Sequence, residues 1–483
     1  TQYDMLTAIE IAKKYNVHFS LEHAWGATDY LDEIVESGCD ICYGPIATYR
    51  SPGERRKIDV EAVKMLDDRG VNVAMITDSP ILSEESLYHH VGEAVREGLA
   101  QERAVRTVTI NAAKVLGVED RLGSLEEGKD ADIIVMKGKL GLDTESLHLW
   151  FQNKRMDIFG FIEKAHELGF DGVMINILKD YNLDPEWGTL MSNDPAHLKK
   201  VRDLLETYHM YAELATKGIT KEHLLKVLDV AEALGADIIR TYIPITLNPL
   251  ASRATGGEGK YDQAKVRGDF DPAVFDEAAM SLRQIIPELK KRRIRLALEN
   301  HEYETSDELA AVVKRLDTPW IGLHFDFGNS MMAWEDPAQA AMNMAPYTIT
   351  THFKDHIVIP CPEDPYGYVV CGIPVGKGNM DLKNLLQIIL DHSSITRLNL
   401  EMCYPYCAQF KRSPGTGGVF RVGEGCFKVE APLFDPETVK PGDYYYPQEI
   451  SEELLEECLK LQMEGVKQSA AYTRKLCEEY RNQ

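Results

Sequence analysis

Apolar positions recur along this chain with two periods, a strand-like two and a helix-like three to four, and the periods alternate repeatedly. From residue 139 onward, short aliphatic and β-branched runs at 139–143, 172–177, 211–215, 237–242, 294–299, 321–326, 348–353 and 397–401 read as strands. Helical patterns lie between them, such as 158–168 before Gly169, 221–234 before Gly235, and 272–292; their ends carry glycines and N-cap residues. A last helical pattern over 451–480 has an apolar stripe through Leu454, Leu455, Cys458, Leu461 and Val466. This repetition predicts an α/β fold, a (β/α)8 TIM barrel with loop insertions. A doubly wound open sheet competes, but no GxGxxG opens the first helix.

The preceding residues alternate in the same way. Strands are predicted at 17–23, 40–43 and 71–78, and helices at 29–37 (ended by Gly38), 60–68, 84–97 and 101–116. A glycine-punctuated stretch follows, leading into a further apolar run at 131–135. The order is that of a parallel sheet. No linker rich in Pro or Ser separates the two parts, so the expected division is 1–136 and 137–483. The chain opens on a helical pattern already under way, which reads as the interior of something larger.

Four barrel strands end on residues that can bind a metal: Glu299, Asp326, His352 and Glu401. Parallel strands of a β/α barrel deliver their C-terminal ends to one rim, so these four are expected to meet. Three carboxylates and an imidazole make an oxygen-rich divalent site with room for substrate. Arg240, at the end of the fourth strand, reads as a rim salt bridge or an oxygen contact; His301 and His356 lie close enough in sequence to reach the same place. Two long stretches, 357–379 and 404–447, are expected to shape or cover the pocket, or to form an oligomer contact.

Composition narrows the function classes. A net charge of −24 argues against a nucleic-acid binder, which needs clustered Lys and Arg. It suits a cytosolic enzyme acting on small, mostly neutral polyols. No apolar run approaches the ~20 residues needed to span a bilayer, and no signal peptide is evident, so a cytoplasmic location without membrane attachment is expected. The nine cysteines form no regular framework and read as reduced thiols; Cys39 and Cys42 form a CxxC, but Cys42 lies in an apolar run unlike a redox motif.

Residues 1–135 resemble the C-terminal part of metal-dependent amidohydrolases, the branch related to imidazolonepropionase. The likeness is carried by LEH (21–23), ITDSPI (76–81), TINAAK (109–114) and GSLEEGKDAD (123–132). It implies that His23 and Asp78 correspond to the metal ligands of the sixth and eighth strands of such a barrel. The other ligands of that family have no counterpart in this chain, and Ser79 stands where a histidine often follows the aspartate. Two ligands are too few for a catalytic zinc site. The expectation is a partial, inactive amidohydrolase-type β/α barrel fragment.

The region from 139 to the C-terminus resembles the xylose isomerase-like barrel family of sugar and sugar-phosphate isomerases and epimerases. KLGLD (139–143), ENH (299–301), HFDFGN (324–329), THFKD (351–355), PVGKG (374–378) and LNLE (398–401) carry the likeness. It implies that Glu299, Asp326, His352 and Glu401 bind one divalent ion, most naturally Mn²⁺, with Mg²⁺ or Co²⁺ as alternatives. It further implies that Glu299 and Glu401 are the catalytic proton-transfer groups. Asn329 and Val358 stand where relatives often carry a substrate-contacting His and Arg. The expected activity is a sugar isomerase or epimerase working by proton abstraction beside a carbonyl. The alternative on the same site is a dehydratase or a C-glycoside-cleaving lyase subunit acting on an oxidised sugar. A homo-oligomer or a partner subunit is expected, and a co-purifying partner subunit would favour the C-glycoside-cleaving reading.

Overall fold

The computed structural model describes residues 2–46, 59–79, 82, 86–124, 126, 129, 130, 138–178, 183–243, 273–362, 364–404, 407–432 and 451–481. The chain divides into two compact units, Thr1–Met136 and Lys137–Gln483.

In the first unit, β1 (Ser20–Glu22), β2 (Asp40–Tyr43) and β3 (Val73–Met75) form a parallel sheet in that order. The helix Leu31–Ser37 ends at Gly38, whose φ of 66° is the left-handed cap conformation that glycine adopts at little cost. Ile34, Ile41, Val63, Leu66 and Val73 are fully buried in its core. The single helix expected over 101–116 is two short ones, Gln101–Arg106 and Ile110–Val115. Thr107 and Thr109 between them turn their hydroxyls onto the carbonyls of Ala104 and Val105, the local bonding by which such residues compete with a helix. The strand expected at 131–135 lies outside the described residues.

In the second unit, β4 (Lys139–Asp143), β5 (Gly172–Asn176), β6 (Tyr211–Ala215), β7 (Ile238–Thr241), β8 (Arg295–Glu299), β9 (Ile321–Asp326) and β10 (Thr348–Phe353) follow in turn. Next come β11 (Asp355–Pro360), β12 (Tyr368–Ile373), β13 (Arg397–Leu400) and β14 (Cys407–Ala408). β4 to β10 and β13 close into an eight-stranded barrel in which every pairing is parallel, β13 meeting β4 from Arg397↔Lys139 to Leu400↔Leu142. The predicted (β/α)8 barrel is therefore present.

Strand parity sorts the side chains. Leu140, Leu142, Val173, Ile175, Leu296, Leu298, Leu323 and Phe325 join the helices in the main apolar core. The alternate positions face inward. Low in the barrel, Tyr211 donates from its hydroxyl to Asn399 at 2.8 Å, while Asn399 and Thr350 both donate to the buried Glu213. Tyr211 fills the space beside β4 and β5: a Cβ on Gly141 would come within 2.2 Å of its hydroxyl, and one on Gly172 within 2.3 Å of its ring.

Three expectations need correction. The helix predicted over 272–292 is two, Ala273–Arg283 and Ile286–Arg292, because Pro287 has no N–H to donate and starts a new helix. The stretch 357–379 is largely sheet: β11 and β12 pair antiparallel over six residues and β14 adds to β12. Leu461 does not complete the stripe of the last helix, Glu452–Arg481; it is 37% exposed, and Leu459 is buried instead. No helix among the described residues is long and apolar enough to cross a membrane.

Candidate metal centre

β8 and β9 end on Glu299 and Asp326, His352 is the penultimate residue of β10, and Glu401 directly follows β13. All four occupy inward positions of the same layer and are buried. The His352 ring is the hub. Its Nδ1 lies 3.0 Å from Glu299 Oε1, 3.3 Å from Glu401 Oε2 and 3.5 Å from Asp326 Oδ2. The structure thus brings together all four residues singled out from the sequence.

Asp143, at the end of β4, joins them. Its Oδ2 is 3.2 Å from His352 Nε2, while its Oδ1 accepts from the Glu145 amide and from Asn176 Nδ2. Ligand atoms of Asp143, His352 and Glu401 lie within 4.8 Å of one another, as do those of Glu299, His324 and His352. His324 stands edge-on to His352 with ring centroids 4.1 Å apart, and neither of its nitrogens has a hydrogen-bond partner among the described residues. Asp143 and His324 were legible in principle, Asp143 by the strand-end rule that picks out Asp326, and His324 by its inward parity with it.

Two buried cations balance the carboxylates. Lys354, two residues beyond His352, places Nζ 2.7 Å from Asp326 Oδ2 and also contacts Glu401. Arg240 contacts Glu299. The rim salt bridge expected of Arg240 exists, but it lies inside the cluster rather than on an exposed edge. Burial raises Glu299 above the ordinary carboxylate range despite Arg240 and His352. Burial also pushes Glu401 upward, but His352 and Lys354 overcome it and hold the group down at about 2. Asp326 is likewise held low by Lys354 and His352 against burial. For His352, burial favours the neutral ring, yet Glu401, Asp143, Asp326 and Glu299 together raise it well above the usual imidazole value.

Buried carboxylates gathered on one imidazole are the donor set of a hard divalent cation, and these residues fit one. Asn300 braces the site by donating to the Asp326 carbonyl and accepting from its amide. His356 packs against Gly328 of the turn after β9, whose amide donates to Asp326. His301 is stacked on Tyr242 with centroids 3.9 Å apart. The Asn329 amide donates to Asp326 Oδ1, and Val358 is fully buried in β11. Beside the barrel, Trp334 stacks on Phe410 of the long stretch after Glu401; residues 433–447 of that stretch are outside the described ones.

In the first unit, His23 Nε2 and Asp78 Oδ2 are 3.8 Å apart, both part-exposed, and His23 Nδ1 lies 2.9 Å from the Gly44 carbonyl. No third donor joins them among the described residues.

A closed parallel barrel with a buried carboxylate–imidazole cluster at its C-terminal rim defines a (β/α)8 protein with a candidate divalent-metal site. The chain belongs to the xylose isomerase-like TIM barrel family, whose profile matches residues 162–416. The profile of the amidohydrolase family matches residues 1–176. Over 204 residues the chain is 28% identical to a 3-oxo-isoapionate decarboxylase of Pectobacterium atrosepticum, covering 42% of this chain and 66% of that protein. Over 142 residues it is 31% identical to a 5-methylthioadenosine/S-adenosylhomocysteine deaminase of Symbiobacterium thermophilum, covering 27% of this chain and 29% of that one. The chain therefore spans less than two thirds of either relative. A solved D-psicose 3-epimerase crystallised with D-fructose aligns over 70% of this chain and 99% of its own, at 13% identity and a TM-score of 0.43.

Proposed function

We propose that the barrel is a divalent-metal-dependent sugar isomerase or epimerase that moves a proton on the carbon beside a carbonyl. Glu299, Asp326, His352 and Glu401 would hold the ion, Mn²⁺ most naturally, and Asp143 offers a further oxygen. When bound, such an ion supplies Lewis acidity to the carbonyl and neighbouring hydroxyl oxygens of the substrate. Glu299 and Glu401 flank the reacting carbon as base and acid, one taking the proton and the other returning one. Lys354 and Arg240 hold these carboxylates in place, and the buried rim keeps competing water away. The observation that supports this reading is the gathering of Glu299, Asp326 and Glu401 within 3.5 Å of one imidazole nitrogen. Nine free cysteines suit a reducing, cytoplasmic setting.

The test is metal analysis of the purified chain, followed by incubation with ketoses in deuterated water. One ion per chain and deuterium on the carbon beside the carbonyl are expected. Glu299→Gln and Glu401→Gln should each reduce exchange at least a hundredfold while leaving the far-UV spectrum unchanged. Near-normal exchange in either variant would remove that residue from proton transfer.

The Pectobacterium relative supports a second reading, decarboxylation. Breaking the bond between a carboxylate and the carbon beside a carbonyl leaves its electron pair in an enolate, as removing a proton from that carbon does. CO₂ departs and a flanking acid supplies the proton. Release of CO₂ from a keto acid, without exchange into neutral ketoses, would select this reaction over epimerisation.

A further inference from the structure

Beside the carboxylate cluster, the described residues converge more positive charge than the cluster itself needs. If the proposed divalent ion is present and His352 is neutral, the ion, Arg240 and Lys354 formally balance Asp143, Glu299, Asp326 and Glu401. Lys217, just beyond β6, is then left over. It is half-buried, and it has no ion-pair partner among the described residues. Its ammonium lies 5.7 Å from the Tyr242 ring, and the Arg240 guanidinium lies 5.0 Å from that same ring. His301 stacks flat on Tyr242, so an aromatic wall stands next to both cations.

Other charges nearby do not cancel the surplus. Glu302 is paired with Lys411 at 3.2 Å, and burial raises Glu304 to about 8, so it is mostly protonated at neutral pH. The Lys217 ammonium and the Arg240 guanidinium thus share one neighbour, the Tyr242 ring on which His301 is stacked. Arg240 is only 3% exposed, and its Nε has no hydrogen-bond partner among the described residues. A buried guanidinium N–H left without an acceptor is costly and fits a ligand oxygen.

We infer that the substrate is a keto sugar acid whose carboxylate is received by Arg240 and Lys217 against the Tyr242–His301 wall. A neutral ketose leaves the Lys217 ammonium without a counter-charge, whereas one carboxylate answers that single surplus charge and offers an oxygen to the Arg240 Nε–H. This rests on the metal-dependent reading above and names the substrate class of that same site; recognition of the carboxylate is common to both reactions considered there.

The test uses the full chain, first titrated with Mn²⁺ alone and then, loaded, with D-ribonate, ribitol and ribitol 5-phosphate by calorimetry. D-ribonate should bind at least tenfold more tightly than ribitol and more tightly than the phosphate. An aldonate also chelates metals, so the deciding comparison is Lys217→Met, with Arg240→Met beside it. Lys217→Met should keep wild-type Mn²⁺ affinity and ribitol binding while losing most of the preference for D-ribonate. If the preference survives in Lys217→Met, or ribitol 5-phosphate binds best, or D-ribonate and ribitol bind alike, the inference is overturned while the metal reading stands. Failure to bind Mn²⁺ at all overturns the metal reading, and the inference with it.

Discussion

Glu335 shows how a single buried acid ties the fold to pH. It accepts from the Ser306 amide at 2.9 Å and from the Ser306 hydroxyl at 2.5 Å, and it is 3% exposed. Burial nonetheless dominates those hydrogen bonds and raises its pKa from 4.5 to about 7. Glu304 shifts the same way, to about 8. For an acid raised in the folded state, the folded protein binds the proton more tightly than the unfolded chain. That stability is complete below the ordinary carboxylate value and is lost as pH climbs through the folded one. For Glu335 the loss is on the order of 3 kcal/mol across the window from 4.5 to about 7. In urea denaturation Glu335→Gln should therefore gain midpoint over the unsubstituted protein at pH 8 and show no such gain at pH 5. A variant without the gain at pH 8 would show that the carboxyl titrates normally.

Elements place residues by parity and by turns. Every barrel-strand residue in the cluster sits on the inward register, so strand ends legible in the sequence alone point to Glu299, Asp326, His352 and Glu401. That reading stops short at Asp143, which ends its strand in the same way, and at Lys354, whose role depends on the chain's path after β10. That path was not legible. HIVI (356–359) and YVVCGI (368–373) are strand-like runs, but they lie between Pro and Gly residues that read as loop, and only the pairing of β11 with β12 makes them sheet. The turn after β9 shows how tightly this geometry is held. Asp326 Oδ1 accepts from the amides of Gly328 and Asn329, each at 2.9 Å, and a Cβ on Gly328 would lie 1.9 Å from His356 Nδ1. Gly328→Ala is expected to displace the turn at a cost of about 1–3 kcal/mol. It should move Asp326 with it and weaken Mn²⁺ binding at least tenfold in a calorimetric titration. Adding His356→Ala should remove the clash and recover much of that affinity. If the single variant binds Mn²⁺ normally, the turn does not position the carboxylate.

At the scale of the whole chain, the contrast is between a closed sheet and an open one. The division into two kinds of β/α unit was legible because each carries its own run of strand-end and glycine signals. How much of a barrel the first unit builds was not, since residues 131–135 lie outside the described ones and local sequence does not say which strands find neighbours. The barrel closes on itself through β13 and β4, so none of its eight strands is an edge. In the first unit, by contrast, β1 and β3 each pair only with β2 among the described residues. Unpaired strand edges recruit other chains, whereas a closed barrel offers none. Residues 137–483 expressed alone are therefore expected to fold, to bind one Mn²⁺ and to melt within a few degrees of the barrel transition in the full chain. Residues 1–136 alone should be aggregation-prone and give high-mass species on size exclusion. Calorimetry of the two pieces beside the full chain checks this: a barrel piece that loses its cooperative transition or its Mn²⁺ would show that the first unit is required to complete the second.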